Sequence, residues 1–451
     1  MTTPIYDVII IGGGMAGLYA AYSLQKKYTS TNIINHTRCS ICSMENTAKC
    51  ANSNVHRCKK ISILLLEKES QLGGRAGTEM FHGVPISIGA GIGRKHKDHL
   101  LIKLLHELNV QNHEFETSTE YSPALQKSKT LMKKQFSHLR SVFKDPIIQK
   151  QFKNRSFSEF AKHILGQEEY SLFSQCAGYT DYENADIHDV LYDYGFDDNT
   201  SSWTGVSLHW SDMIKSLVKS IGKSNIKTDH LVSKIKIMKE NGQNPDPVHK
   251  FEILANQQVY KCNTVIMATT VDAVKRLLPT PINTDIYDQI HGQPFLRMYG
   301  KFTKSSSQIL SQYLKTQTVV QGPIHKIIPI NQEKGIHMFV YTDNDGAKML
   351  KRYTKNTEKN RQILSKYLER ALGIPENTLI MTDMRDFYWN IGTHYYEPMH
   401  NPGHDDVRSS NRSAFIDKAQ HPFPNIFIVG EMVSKNQGWV EGALESVEKI
   451  I

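Results

Sequence analysis

Hydrophobic and polar positions along this chain fall into two patterns, and their order predicts the architecture. Tyr6-Asp7-Val8-Ile9-Ile10-Ile11 is a short apolar run of the kind that forms a strand covered on both faces, and it ends at Gly12-Gly13-Gly14. From Met15 to about Lys27 the apolar residues recur at helical spacing. A second apolar run, Ile61 to Leu66, closes on Glu67 and predicts the next strand. Thr264 to Thr269 and Asn425 to Gly430 read as two further short strands, and His230 to Ile235 as part of a strand pair. Helical periodicity covers about 97–108, the stretch from Gly205-Val206-Ser207 to Ile221, about 359–372, and the C-terminal residues after Gly438. Glu240 to Pro247 is polar and contains proline, a hairpin loop. No internal repeat is present.

The first strand, turn and helix carry chemistry. Gly12, Gly14 and Gly17 make the G-x-G-x-x-G spacing of a dinucleotide site. The first glycine permits the tight turn, the second lets backbone N–H groups approach a pyrophosphate, and the third lets the helix pack on the strand. Met15 and Ala16 open that helix, whose N-terminus favours an anion. The acidic residue that should follow, accepting hydrogen bonds from the adenosine ribose, is Glu67. It comes late, so residues from about 29 to 60 read as an insertion. Gln71-Leu72-Gly73-Gly74-Arg75 then supplies a second glycine turn and a cation for the phosphates.

The run Leu66-Glu67-Lys68-Glu69-Ser70-Gln71-Leu72-Gly73-Gly74-Arg75 resembles the second FAD motif of the flavin-containing amine oxidase superfamily, which includes monoamine and polyamine oxidases and, more distantly, phytoene desaturases. Asn425 to Glu431 followed by Gly438-Trp439-Val440-Glu441-Gly442-Ala443-Leu444-Glu445-Ser446 resembles the closing motif of the same family. The resemblance implies an α/β fold: a Rossmann-like FAD-binding domain with an inserted mixed α+β substrate domain. It places FAD on Gly12, Gly14, Met15, Ala16, Gly17, Glu67, Lys68, Gly74 and Arg75, then on Gly89-Ala90-Gly91, which passes close to the flavin. Val232 would hold the adenine through its backbone, Gly430 and Glu431 the ribityl chain, and Gly438, Trp439 and Val440 the flavin ring. The last helix would point its N-terminus at the pyrimidine ring and stabilise negative charge on the reduced flavin. Glu445 and Glu448 read as a solvated helix face. The FAD domain would be discontinuous, from 1–115, 205–280 and 382–451, with substrate-domain segments at 116–204 and 281–381.

The family usually sets a lysine opposite the flavin on a strand of the substrate domain. In Gln293 to Phe302 the preferred register puts Arg297 there, and a shift of four residues brings in Lys301. Arginine keeps its proton in a protein, so Arg297 could hold water or an anion but not act as a base. An aromatic cage facing the flavin would use Trp439 on one side and Tyr395, or Tyr396, on the other; His394 reads as structural. The resemblance implies hydride transfer from an amine to FAD, hydrolysis of the imine, and reoxidation by dioxygen to peroxide. No cysteine lies near Trp389 or Gly438, which implies non-covalent flavin. Two alternatives stay open: an FAD enzyme acting on C–C bonds of an apolar substrate, as a desaturase or isomerase, and a non-catalytic FAD fold whose insertion binds a partner.

Composition narrows this further. A chain of 451 residues exceeds one ordinary core, so two domains are expected. With 39% hydrophobic and 22% charged residues the chain reads as soluble. No apolar run reaches the roughly 18 residues of a membrane span. Nor is there a signal peptide, because Val8 to Ile11 belongs to the first strand, so a cytoplasmic location is expected. The net charge of +9 lies in short clusters such as Lys133-Lys134 and does not make a nucleic-acid site. Four of the six cysteines fall in the insertion, Cys39, Cys42, Cys50 and Cys58. They could hold a structural zinc, form disulfides, or remain free thiols; only one C-x-x-C pair is present. Cys176 and Cys262 sit in apolar surroundings and are expected to be buried and inert.

Overall fold

The computed structural model describes residues 4–30, 61–125, 128–199, 202–238, 249–399 and 410–451. Cys39, Cys42, Cys50 and Cys58 lie outside the described residues, as does the loop from Glu240 to Pro247. Two sheets organise the rest. In the first, strand Ile5–Ile11 runs parallel to Ile63–Leu66 on one side and to Gln258–Met267 on the other. Helix Met15–Ser30 makes the crossover between the first two, so the chain opens as a βαβ unit. Ile426–Ile428 adds to Gln258–Met267 in parallel, bringing the C-terminal motif beside the N-terminal one. Val232–Ile237 and Phe251–Ala255 extend this sheet, and Ile226–Lys227 closes its other edge.

The central strands are apolar throughout because both faces are covered. Ile10 and Leu65 pack with helices Met15–Ser30, Trp210–Ile221 and Val440–Glu448, whereas Ile9 and Leu64 pack on the opposite face with Val265 and Met267. Each such Ile or Leu contributes about 1.5–3 kcal/mol of burial, so the segment is held at its two ends with little freedom to shift.

The second sheet is antiparallel over most of its width. Its order is Met381–Tyr396, Ile290–Phe302, Ile336–Asp343, Lys326–Asn331 and Gln317–Val319, with Thr119–Tyr121 added in parallel at the edge. The boundary expected at 382 therefore falls inside a strand of this sheet: 382–396 pairs with Ile290–Phe302. Alternation assigns its faces. Leu296 and Met298 pack with Leu310, Leu364 and Leu368 from helices Lys304–Tyr313 and Glu358–Leu372. Arg297, between them, points the other way. That other side meets helices Ser128–Val142, Phe157–Leu165 and Gln167–Ala177, whose aromatic core stacks Phe136 on Phe196 and Phe173 on Phe196.

Candidate active site

The glycine turn is built as its spacing requires. A Cβ on Gly12, whose φ is +107°, would lie 2.3 Å from the Ala268 carbonyl oxygen, and one on Gly17 would lie 1.9 Å from the Gly12 carbonyl oxygen. These two glycines are filled by protein backbone. At Gly14 a Cβ would meet nothing within 4 Å. The second glycine thus leaves open the approach that a pyrophosphate needs, at the start of helix Met15–Ser30. Gly73 donates its N–H to the Gly13 carbonyl at 2.8 Å, joining the two glycine turns. Glu67 is buried at the end of its strand; Oε2 accepts from Gly13 N–H at 2.6 Å and Oε1 from Glu69 N–H at 2.9 Å. Lys68 is 63% exposed and pairs only with Glu69 at 3.1 Å, so the structure does not bring it to the turn.

Arg75 links this turn to the far end of the chain. Its Nη1 donates to Glu431 Oε1 and to the Gly392 carbonyl, both at 2.8 Å. Glu431 is buried, takes a second hydrogen bond from His394 Nδ1, and accepts from Gly438 N–H at 3.2 Å. Burial alone would raise its carboxyl, but His394 and Arg75 outweigh that and hold it well below the usual range. His394 Nε2 accepts from Val271 N–H at 3.4 Å, which leaves the ring proton on Nδ1 and makes this a satisfied structural histidine. Gly430 has φ +132° and, like Gly14, nothing within 4 Å of its Cβ position. The Glu431 carboxylate thus sits next to a second stretch of open backbone.

Gly89 lies where a Cβ would be 2.1 Å from the Arg75 carbonyl oxygen and 3.3 Å from Trp389 Nε1. Ala90 donates its N–H to the same carbonyl, and Trp389 donates to the Ile88 carbonyl, so Gly89-Ala90-Gly91 is pinned from both sides. Val232 is buried at the start of its strand, paired with Ala255. Val440 begins the last helix, with Trp439 at its N-cap. Glu441 reaches across from that helix and accepts from Leu100 and Leu101 N–H at 2.8 and 2.9 Å, capping helix His99–Glu107. Of the solvated face expected at Glu445 and Glu448, Glu448 is exposed, with one hydrogen bond from the Tyr19 hydroxyl, whereas Glu445 is half-buried and accepts from Ser434 and Asn436.

The substrate side differs from expectation in two respects. Arg297 is buried and faces the Gly91 backbone: a Cβ there would be 3.3 Å from its Nη2. Lys301, at the solvent end of the strand, donates instead to the Lys334 carbonyl. The register with Arg297 toward Gly91 is the one adopted. Among the described residues Trp439 and Tyr395 make no ring contact with each other, and each has other partners. Trp439 lies against Trp203, with ring centroids 6.5 Å apart, and under the Arg94 guanidinium at 3.8 Å. Arg94 is itself fixed by Asp98, Nη2 to Oδ1 at 2.6 Å, and by Asp198 at 3.3 Å. Tyr395 stacks on His291 at 5.3 Å.

Several polar groups of this region escaped the sequence. Asp181, Asp189, Asp193 and Tyr194 line a pocket with Tyr395 and Gly438, and Arg412 and Lys435 join its wall. Asp189–Asp193 is a single π-helical turn, a conformation that aims side chains differently from an α-helix. Burial raises the carboxyls of Asp181 and Asp189 to about 7, even though Arg412 pairs with Asp189 at 2.8 Å. Behind Asp181, Lys326 is fully buried, its Nζ 3.3 Å from the Tyr179 ring centroid; burial lowers its ammonium to about 7 against the pull of Asp181 and Asp343. Asp343 accepts from Thr180 N and Oγ1 at 2.8 and 2.7 Å. The available signal was a charged residue interrupting an apolar strand, as Lys326 does before Ile327-Ile328. Cys176 and Cys262 are buried, and burial pushes the Cys262 thiol up to about 12. No helix among the described residues is long and apolar enough to cross a membrane.

The chain matches the family model of flavin containing amine oxidoreductases over residues 125–448, and an NAD(P)-binding Rossmann-like domain over residues 10–108. No curated protein matches it. Its fold is similar to solved structures of putrescine oxidase. The wild-type enzyme bound to putrescine has 14% identity and a TM-score of 0.69, covering 100% of this chain and 98% of that one. A double mutant of the same enzyme, from a redesign of its cofactor binding, has 13% identity and a TM-score of 0.68, covering 99% and 98%. With the family matched over most of its length, the chain belongs to the flavin-containing amine oxidoreductases and is an FAD-dependent oxidoreductase.

Proposed function

We propose that this protein oxidises an amine, with FAD bound non-covalently along the joined glycine turns and dioxygen as the final oxidant. Bound FAD supplies the acceptor for a hydride from the carbon beside nitrogen, and dioxygen takes the electrons onward to peroxide. The chain's own part begins with charge. An amine arrives as an ammonium and must lose a proton before its C–H bond can give up a hydride. Arg297 cannot accept that proton. Asp181 can: its carboxyl titrates near neutrality, and it sits in the wall of a pocket that continues to Gly438. The single observation that carries the reading is this placement, an acid–aromatic pocket (Asp181, Asp189, Tyr194, Tyr395) that reaches Gly438, which the family resemblance sets at the flavin ring. Tyr194 donates to Asp181 and Gln293 donates to the Asp181 carbonyl at 2.8 Å, so the acid is held in place. A desaturase of an apolar substrate would have no use for three carboxylates in that wall.

The test is anaerobic addition of primary, secondary and polyamines to the purified flavoprotein. Bleaching of the flavin bands by one class is the expected result, followed by recovery in air with release of peroxide. Retained flavin that no amine reduces would end the amine-oxidation reading.

A further inference from the structure

The sheet face that looks toward the site holds two buried cations in one row. Arg297 is paired in register with Tyr341, and Tyr341 in turn with Lys326 on the next strand. The row is tied together by rings: Arg297 lies 4.4 Å from the Tyr341 ring centroid, Tyr341 meets Tyr179 at 5.5 Å, and Lys326 lies over Tyr179. The two cations are treated differently. Lys326 has two carboxylates acting on it, Asp181 and Asp343. Arg297 has phenols: its Nη2 donates to the Tyr341 hydroxyl at 3.0 Å, and Tyr299 lies beside it with its own hydroxyl donated to the Ser87 carbonyl. Among the described residues no carboxylate oxygen comes within 4.0 Å of the Arg297 guanidinium. Arginine stays charged, and a buried charge is costly unless an opposite charge reaches it. Oxidised flavin carries no formal charge, so before any hydride is transferred an anionic group on the substrate is the counter-charge this site can receive.

We propose that Arg297 binds a carboxylate of the substrate, and that the amine oxidised is therefore an α-amino acid rather than a simple amine or polyamine. This rests on the amine-oxidation reading and deepens it. A guanidinium offers a fork matched to a carboxylate, and the Tyr341 hydroxyl stands ready as a third polar group. Arg297 meets Gly91, in the segment that the family resemblance sets beside the flavin, and in an α-amino acid the carbon to be oxidised is directly bonded to the carboxylate. The chemistry balances: the α C–H bond breaks with its electron pair passing to FAD, and the nitrogen loses one proton. The resulting imino acid takes up water to give a 2-oxo acid and ammonia. Dioxygen accepts two electrons and two protons as hydrogen peroxide.

The experiment uses the holoenzyme and matched pairs that differ by one carboxylate: lysine and cadaverine, ornithine and putrescine, phenylalanine and phenethylamine. The expected result is anaerobic flavin reduction by an amino acid at a concentration at least about 100-fold below that of its decarboxylated partner. R297M should abolish that preference, and R297K should retain part of it. Independently of turnover, benzoate or propionate should raise the Tm of the wild-type holoenzyme and leave R297M unmoved. Reduction by the decarboxylated partners as readily as by the amino acids would overturn the proposal while leaving amine oxidation standing. Retained flavin that neither member of any pair reduces would overturn both.

Discussion

The nucleotide cradle and the substrate-side cavity both hold buried charges, but they stabilise them by different means. In the cradle, Glu67 is satisfied by two backbone N–H groups two and fifty-four residues away, and Glu431 by Arg75, His394 and Gly438 N–H. Each carboxylate accepts from donors fixed in place, backbone N–H groups for Glu67 and an arginine, a histidine and one backbone N–H for Glu431. On the substrate side, Asp181 in the cavity wall titrates near neutrality, and on the sheet face beside it the buried Arg297 meets phenols among the described residues while Lys326 has two acids acting on it. The cradle is built to hold one ligand in one way. The cavity is built to exchange charge with whatever enters it.

The largest effect that can break this comparison is at Gly17. Gly17→Val would drive a side chain into the Gly12 carbonyl oxygen, 1.9 Å from the Cβ position, and should cost more than about 3 kcal/mol and most of the soluble, flavin-containing protein. Gly14→Ala is its control. With nothing within 4 Å it should fold, and the loss should show as weaker FAD retention, read by flavin-to-protein absorbance. Equal damage from both would mean that Gly14 does not face a ligand.

Next is Glu431→Gln, which strips the charge that Arg75 and His394 share; about 3 kcal/mol of stability should go, together with flavin content. The sign with pH follows from its depressed native carboxyl. The charged form is favoured in the folded state, so its contribution is complete above the unfolded value of about 4.3 and is lost as pH falls below it. The variant should therefore have a flatter acid limb in a Tm-against-pH profile.

The cavity should show the opposite pattern in neutral solution. Asp181, raised to about 7, makes the folded state bind more protons between its unfolded value near 4 and neutrality, so stability falls as pH rises through that window. Lys326, lowered to about 7, makes the unfolded state bind more protons from there up to about 10.4, so stability rises. The pair imposes a shallow minimum near pH 7. Lys326→Met should remove the rise above it, and Asp181→Asn should reduce the fall below it, to which Asp189, also raised to about 7, contributes in the same sense, with the acid limb set by Glu431 unchanged. The smallest effect sharpens the edge of the cradle. Lys68→Ala, at a 63% exposed side chain, should leave flavin content intact and stability within about 0.5 kcal/mol.

The difference between the regions also explains what could be read from the residues alone. Strand, turn and helix from Ile5 to Ser30 are local, so spacing alone located the fold's first unit, and Glu67 needed only the next apolar run. Arg297 was placed by resemblance to the family's lysine position, since strand alternation puts Arg297 and Lys301 on one face and cannot choose between them. The cavity was not legible, because Asp181, Lys326, Tyr341 and Asp343 come from separate stretches and meet only when the second sheet closes on the helical segment. Trp439 was identified by motif, but its neighbours Arg94 and Trp203 lie far away in sequence and could not be read from it. The boundary at 382 failed for a similar reason: nothing in Met381 to Tyr396 announces that its partner is Ile290–Phe302.

The central claim is that the two ends of the chain fold into one FAD cradle, and equilibrium titration of the flavin-free protein tests it most directly. One FAD per chain should bind, with FMN and NAD far weaker, and Glu67→Ala should weaken FAD by removing the acceptor that the motif assigns to the ribose. Preference for NAD, or binding of FAD that is indifferent to Glu67, would contradict it.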